Sequence, residues 1–144
     1  MKVESILKSK GRTVETIAPD ASIPLVVHRL TTLGIGALVV SRDGQRLEGI
    51  VSERDIVRGL ARHGSRLMEL RAADIMSKQV RACEPDDTIT HVMAEMTRSR
   101  NRHLPVLEEG RLCGVVSIGD VVKNRLEELE MEATVLRDAY RAGR

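Results

Sequence analysis

Gly49-Ile50-Val51-Ser52-Glu53-Arg54-Asp55-Ile56-Val57 is repeated, position for position, as Gly114-Val115-Val116-Ser117-Ile118-Gly119-Asp120-Val121-Val122. In each stretch a glycine leads two β-branched residues into a serine, and an aspartate follows three residues later. Working outward, Val14–Ile23 returns as Val80–Ile89, with Pro19-Asp20 matched by Pro85-Asp86 and Ser22 by Thr88. The offset is 66 residues in the first part of each copy and 65 in the second, because the turn Asp43–Leu47 shortens to Glu109–Leu112. A repeat of this length is a whole folding unit, and two such units facing each other create paired clefts.

Each copy reads as strand, helix, strand, strand, helix. Ser22 is a helix cap with Pro24 in the first turn. Ile23, Val26, Val27, Leu30 and Leu33 then fall on one helical face. Gly34-Ile35-Gly36 ends that helix, and Ala37–Val40 reads as a buried strand. Arg42-Asp43-Gly44 turns the chain into the antiparallel strand Leu47–Ser52. Glu53–Ala61 is a second helix, expected to turn Ile56, Val57, Leu60 and Ala61 inward. In the second copy Thr88 is the cap, Ile89, Val92, Met93 and Met96 form the helix face, and His103–Leu107 and Leu112–Ser117 are the strands. Residues 2–9 are a short amphipathic helix through Val3, Ile6 and Leu7, and residues 65–76 a helical linker. The expected domains are an N-terminal segment with the first repeat (1–64), that linker, the second repeat (77–126) and a helical tail (127–144). The whole is an α/β (α+β) protein.

The tail carries a pattern of its own. Val122, Leu126, Leu129, Ala133, Leu136 and Tyr140 alternate in spacings of four and three, a heptad seam that predicts a contact with a second helix. Because the run outlasts the repeat, a homodimer using the tail is expected.

At 144 residues the chain makes one body or two dependent halves; a half of about 60 residues would be marginal alone. A net charge of +2 is too small to argue for nucleic acid or a membrane surface. Tyr140 is the single aromatic residue, so stacking of single-stranded bases has no platform. There is no apolar run of membrane-spanning length and no secretion signal at the start, and the two cysteines, Cys83 and Cys113, suit neither a metal motif nor a disulfide framework. A cytoplasmic protein is expected. His28, His63, His91 and His103 lack metal-ligand spacing, Cys83 aligns with the strand residue Ile17 as a core thiol, and no catalytic triad, P-loop or glycine-rich nucleotide fingerprint occurs.

The repeated Ser-x-x-Asp carries the chemistry. A serine that ends a strand just before a helix directs its hydroxyl, and free helix N–H groups, toward an anion. The aspartate three residues on faces the same way and accepts hydrogen bonds from two adjacent hydroxyls. The same four residues also suit a capping box, with Asp in place of Glu. Both roles are compatible.

These features together resemble the cystathionine-β-synthase (CBS) domain pair: Pro-Asp before each first helix, Ile35-Gly-Ala-Leu-Val-Val and His103-Leu-Pro-Val-Leu, Ala73-Asp-Ile-Met76 before the second copy, and Gly-h-h-Ser-x-x-Asp twice. The resemblance covers roughly residues 8–126. It implies two βαββα units packed about a pseudo-twofold axis, and a non-catalytic regulatory module that binds an adenine nucleotide between them. The ligands implied are AMP, ADP, ATP or NAD(H), with S-adenosylmethionine ranked behind them. It assigns ribose to Asp55 and Asp120 and phosphate to the vicinity of Ser52 and Ser117, with Arg54 and Ile118 inside the two motifs. Adenine is assigned to the start of the first strands (Arg12, Thr13, Val14; Lys78, Gln79, Val80) and of the second strands (Ile35, Gly36, Ala37; Asn101, Arg102, His103). Arg12 and Lys78 are placed to add phosphate contacts. The small Gly36-Ala37 wall and the cationic Arg102-His103 wall are expected to make two unequal clefts. The competing reading is a scaffold or dimerisation protein with vestigial clefts. The regulated protein target is not legible in the residues.

Overall fold

The computed structural model describes residues 1–143. Its elements run α1 (Val3–Lys10), β1 (Thr16–Ile17), α2 (Ile23–Leu33), β2 (Ala37–Val40), β3 (Gly49–Ser52), α3 (Glu53–His63), a 3₁₀ helix (Gly64–Glu69), α4 (Ala72–Ile75), α5 (Ile89–Ser99), β4 (His103–Glu108), β5 (Arg111–Ser117) and α6 (Ile118–Ala142). The caps are where the sequence puts them: the Ser22 hydroxyl accepts from Leu25 N–H, and Thr88 accepts from His91 N–H. Gly34 ends α2 in the left-handed conformation at φ 63°, where a side chain is strained.

The first repeat is a three-stranded sheet in the order β1-β2-β3, with β1 parallel to β2 and β2 antiparallel to β3. In the second repeat β4 and β5 pair antiparallel, and the opening strand is reduced to one parallel bridge, Cys83 to Val106. That bridge is the repeat equivalent of Ile17 to Val40. Cys83 is buried in the second core, and burial, reinforced by Asp87, pushes its thiol up to about 12.

Two cores form, and each borrows a helix. Val26, Leu30, Leu38, Val40 and Val51 of the first repeat pack with Ala72 and Ile75 from α4 and with Met76, which caps it. Val92, Met96, Leu104, Val106 and Val116 of the second repeat pack with Val3, Ile6 and Leu7 from α1. The segment that precedes the first repeat in sequence is therefore part of the second repeat's core. The backbone joins them too, at the Lys2–Thr88 bridge, as Arg71 joins Ser22 on the other side.

Three local expectations are corrected. The linker is not one helix: the 3₁₀ turn buries Leu67, and α4 follows as a single turn. Leu33, expected on the buried face of α2, is exposed where that helix ends. On α3, Ile56 packs inward, but Val57 and Leu60 are 65% and 49% exposed, as is the Ala61 side of the helix. The inward contact of α3 is made by the buried Gly59, whose missing side chain leaves room for Leu67.

Candidate functional site

Both Ser-x-x-Asp motifs fold as capping boxes. Ser52 Oγ accepts from Asp55 N–H, and Asp55 Oδ2 accepts from Ser52 N–H at 2.8 Å; Ser117 and Asp120 repeat the arrangement at 2.9 Å. The strand before each motif is held at the same height, because Glu53 N–H donates to Gly36 O and Ile118 N–H to Arg102 O. The cap uses one carboxylate oxygen, Oδ2, so in each box it leaves Oδ1 to other partners.

Around Asp55 the structure forms a cleft of about 290 Å³, at the small end of ligand pockets. Its lining draws on both repeats: Gly36, Ala37, Ser52, Arg54 and Asp55 from the first, and Gln79, Val80, Asn101, Arg102 and His103 from the second. The two walls expected to belong to different clefts thus face each other across one. At Gly36 a Cβ would come within 3.1 Å of His103 Cε1, so glycine is what lets the walls approach. The pseudo-twofold axis brings the equivalent turns, 34–37 and 100–103, together at the centre, which a linear alignment does not reveal.

Sequence reasoning passed over Glu53, Arg58, Ser77 and Arg100, all of which line this cleft. With Arg54 and Arg102 they place four guanidiniums against the two carboxylates of Glu53 and Asp55. Arg100 is notable for its backbone. It ends α5 at φ 59°, a left-handed conformation in which a non-glycine residue is strained, and its repeat equivalent is Gly34. That alignment was the available signal. His103 is half-buried, and burial, helped by the charge of Lys10, holds its imidazole below the usual range against the pull of Glu53 and Asp120.

The pseudo-equivalent place around Asp120 is filled differently. Lys10 Nζ, at the end of α1, lies 2.7 Å from Asp120 Oδ2 and 3.0 Å from Val115 O. Burial opposes ionisation of Asp120, but the Lys10 ammonium and Ser117 N–H outweigh it and hold the carboxyl below its usual range. In the first repeat the equivalent of Val115 is Ile50, whose carbonyl takes Ser77 N–H at 2.9 Å. A lysine side chain therefore stands in for a backbone donor. The remaining expected residues scatter. Arg12 is committed to Glu4 at 2.6 Å and Glu108 at 3.2 Å rather than to a phosphate position, which corrects that reading. Ile35 packs on the first core and Ile118 on the second. Thr13 and Lys78 are exposed and Val14 is half-buried; none of the three lines the Asp55 cleft.

A duplicated βαββα unit that swaps helices and encloses a polar cleft at its pseudo-twofold axis defines a paired-repeat module. The chain belongs to the CBS domain family: residues 5–62 and 72–127 each match the family model of the CBS domain. The CBS domain-containing protein CBSX3, mitochondrial, of Arabidopsis thaliana is 32% identical over 149 residues, covering 98% of this chain and 72% of its own length. A crystal structure of a CBS-domain containing protein from Agrobacterium tumefaciens matches with a TM-score of 0.83 at 42% identity, over 87% of this chain and 99% of that one. The CBS domain pair of protein MJ0100, solved with 5′-methylthioadenosine and S-adenosyl-L-methionine, shares the fold at a TM-score of 0.76 and 23% identity, over 85% of this chain and 98% of that one. Among the described residues, no helix is long and apolar enough to cross a membrane.

Proposed function

We propose that this chain is a non-catalytic cytoplasmic sensor that binds one phosphorylated adenine nucleotide (AMP, ADP, ATP or NAD(H)) in the Asp55 cleft and relays its presence to a protein target. The observation that carries the reading is the company Asp55 keeps. A carboxylate oxygen free of the cap suits two ribose hydroxyls. Arg54, Arg58, Arg100 and Arg102 around it suit a phosphate, which guanidinium binds through paired, charge-assisted hydrogen bonds. The same cations disfavour S-adenosylmethionine, whose sulfonium is positive, and give 5′-methylthioadenosine no phosphate to hold. The MJ0100 pair carries those two ligands; the likeness to it extends to fold.

Ligand binding changes the protein's behaviour only by favouring one arrangement of the two repeats over another. A cleft lined from both repeats meets that requirement, since its ligand touches both. Thermal-shift and calorimetric titration test the reading. At a ligand concentration a hundredfold above Kd, binding stabilises by about 2.7 kcal/mol, and the phosphorylated nucleotides are expected to do so more than S-adenosylmethionine. Asp55→Ala, which removes a charged acceptor, is expected to weaken binding by roughly 10- to 150-fold. If none of the nucleotides raises the melting temperature, or folded Asp55→Ala binds as before, the sensor reading fails. A scaffold role resting on α6 would then replace it.

A further inference from the structure

His103 opens β4 at the pseudo-twofold axis and lines the Asp55 cleft, half-buried, with its ring set against Gly36 of the other repeat. Of the four histidines it alone lines that cleft; His28, His63 and His91 are exposed elsewhere. Charged groups face the ring from every element packed around it. α1 brings Lys10, α3 brings Glu53, α6 brings Asp120, and Arg102 precedes it on the chain. Asp55, Arg54 and Arg58 of α3 and Arg100 at the end of α5 complete the charged lining of the cleft.

Without a ligand the ring is kept neutral. Burial withdraws the imidazolium from water, and the cations Lys10 and Arg102 repel it more than Glu53 and Asp120 compensate. A phosphate seated among Arg54, Arg58, Arg100 and Arg102 reverses this balance. It brings negative charge to the side of the cleft where the ring stands, and it neutralises the neighbouring Arg102. An anion close to a histidine favours the charged form of the ring. Proton and phosphate then strengthen each other by the same factor, because binding linkage is reciprocal.

We infer that His103 takes up a proton as a phosphorylated nucleotide enters the Asp55 cleft, so that this chain holds its nucleotide more tightly as the pH falls. The inference rests on the nucleotide reading of that cleft and adds a second input to it, the proton. With phosphate present His103 keeps its proton to a higher pH than without it. The gain in affinity is therefore complete below the ligand-free midpoint and is lost as the pH rises through the ligand-bound one. If binding raises the midpoint by about one pH unit, the gain reaches about tenfold.

Proton NMR of the full chain follows the imidazole Cε1–H signals. His28→Gln, His63→Gln and His91→Gln, all at exposed positions, assign the His103 signal by elimination. Titrated between about pH 5.5 and 8 with saturating AMP, ADP, ATP or NAD, the His103 midpoint should rise by about one pH unit. Adenosine, which carries no phosphate, should leave it in place. Calorimetry with the same nucleotides on the wild type and on His103→Gln gives a second readout. The ratio of the two affinities cancels protonation of the ligand itself, and it should grow several-fold in favour of the wild type from about pH 8 to about pH 5.5. An unmoved His103 midpoint with nucleotide bound, an equal rise with adenosine, or an affinity ratio independent of pH overturns the inference and leaves the sensor reading standing. A nucleotide panel that binds at no pH fails the sensor reading itself, and the proton link with it.

Discussion

At the residue scale, the informative position is Arg100. The repeat offset pairs it with Gly34, and the backbone of both is left-handed, at φ 59° and 63°. Glycine adopts this conformation without strain, whereas other residues pay roughly 1–2 kcal/mol. Strain retained inside a cleft points to a use for the side chain. Arg100→Gly is therefore expected to stabilise the folded chain by about 1 kcal/mol while weakening nucleotide binding several-fold and flattening its salt dependence, as screened charge contacts require. Denaturant titration and calorimetry at two salt concentrations separate the two effects. A variant that is more stable and binds equally well would remove Arg100 from the site. Asp55, by contrast, was legible from the sequence alone, because the motif that exposes it is short, local and stated twice.

At the element scale, α1 decides the difference between the two Ser-x-x-Asp sites. Its apolar face docks on the second repeat, and this delivers Lys10 to Asp120. The repeat offset aligns Lys10 with Met76, which packs into the first core and makes no such contact with Asp55. The Lys10–Asp120 pair is partly exposed on both sides, so its worth is that of a surface ion pair, at most about 1 kcal/mol. Were a nucleotide to bind at Asp120 as proposed for Asp55, displacing this pair would cost it a factor of about five in affinity. Lys10→Met should accordingly tighten or reveal a second binding event in calorimetry, with Asp55-site affinity unchanged. A loss of affinity at the second site would instead make Lys10 a phosphate contact. The short helix was readable from Val3, Ile6 and Leu7; its docking partner was not, because an amphipathic face specifies burial without naming the surface that covers it.

At the scale of the whole molecule, the exchanged helices make each repeat depend on the segment that precedes the other's fold. Burying Val3, Ile6 and Leu7 contributes about 1.5–3 kcal/mol each as an upper estimate. Set against a typical domain stability of about 5–15 kcal/mol, the loss of all three is close to decisive. A fragment of residues 77–144 is expected to lack a cooperative melting transition by circular dichroism, although it contains all strands and helices of the second repeat. Cooperative melting of that fragment would show the halves to be independent. The order of elements, both caps, both Ser-x-x-Asp boxes and the heptad seam were determined by the sequence itself, since each rests on contacts between residues a few positions apart. Tertiary structure alone decided that Gly36-Ala37 and Arg102-His103 face one cleft, that Arg12 turns to Glu4 and Glu108, and that Val57 and Leu60 lie outward. These follow from how the two repeats are rotated against each other, and that rotation is set by packing between residues more than sixty positions apart, which periodicity within either copy does not encode.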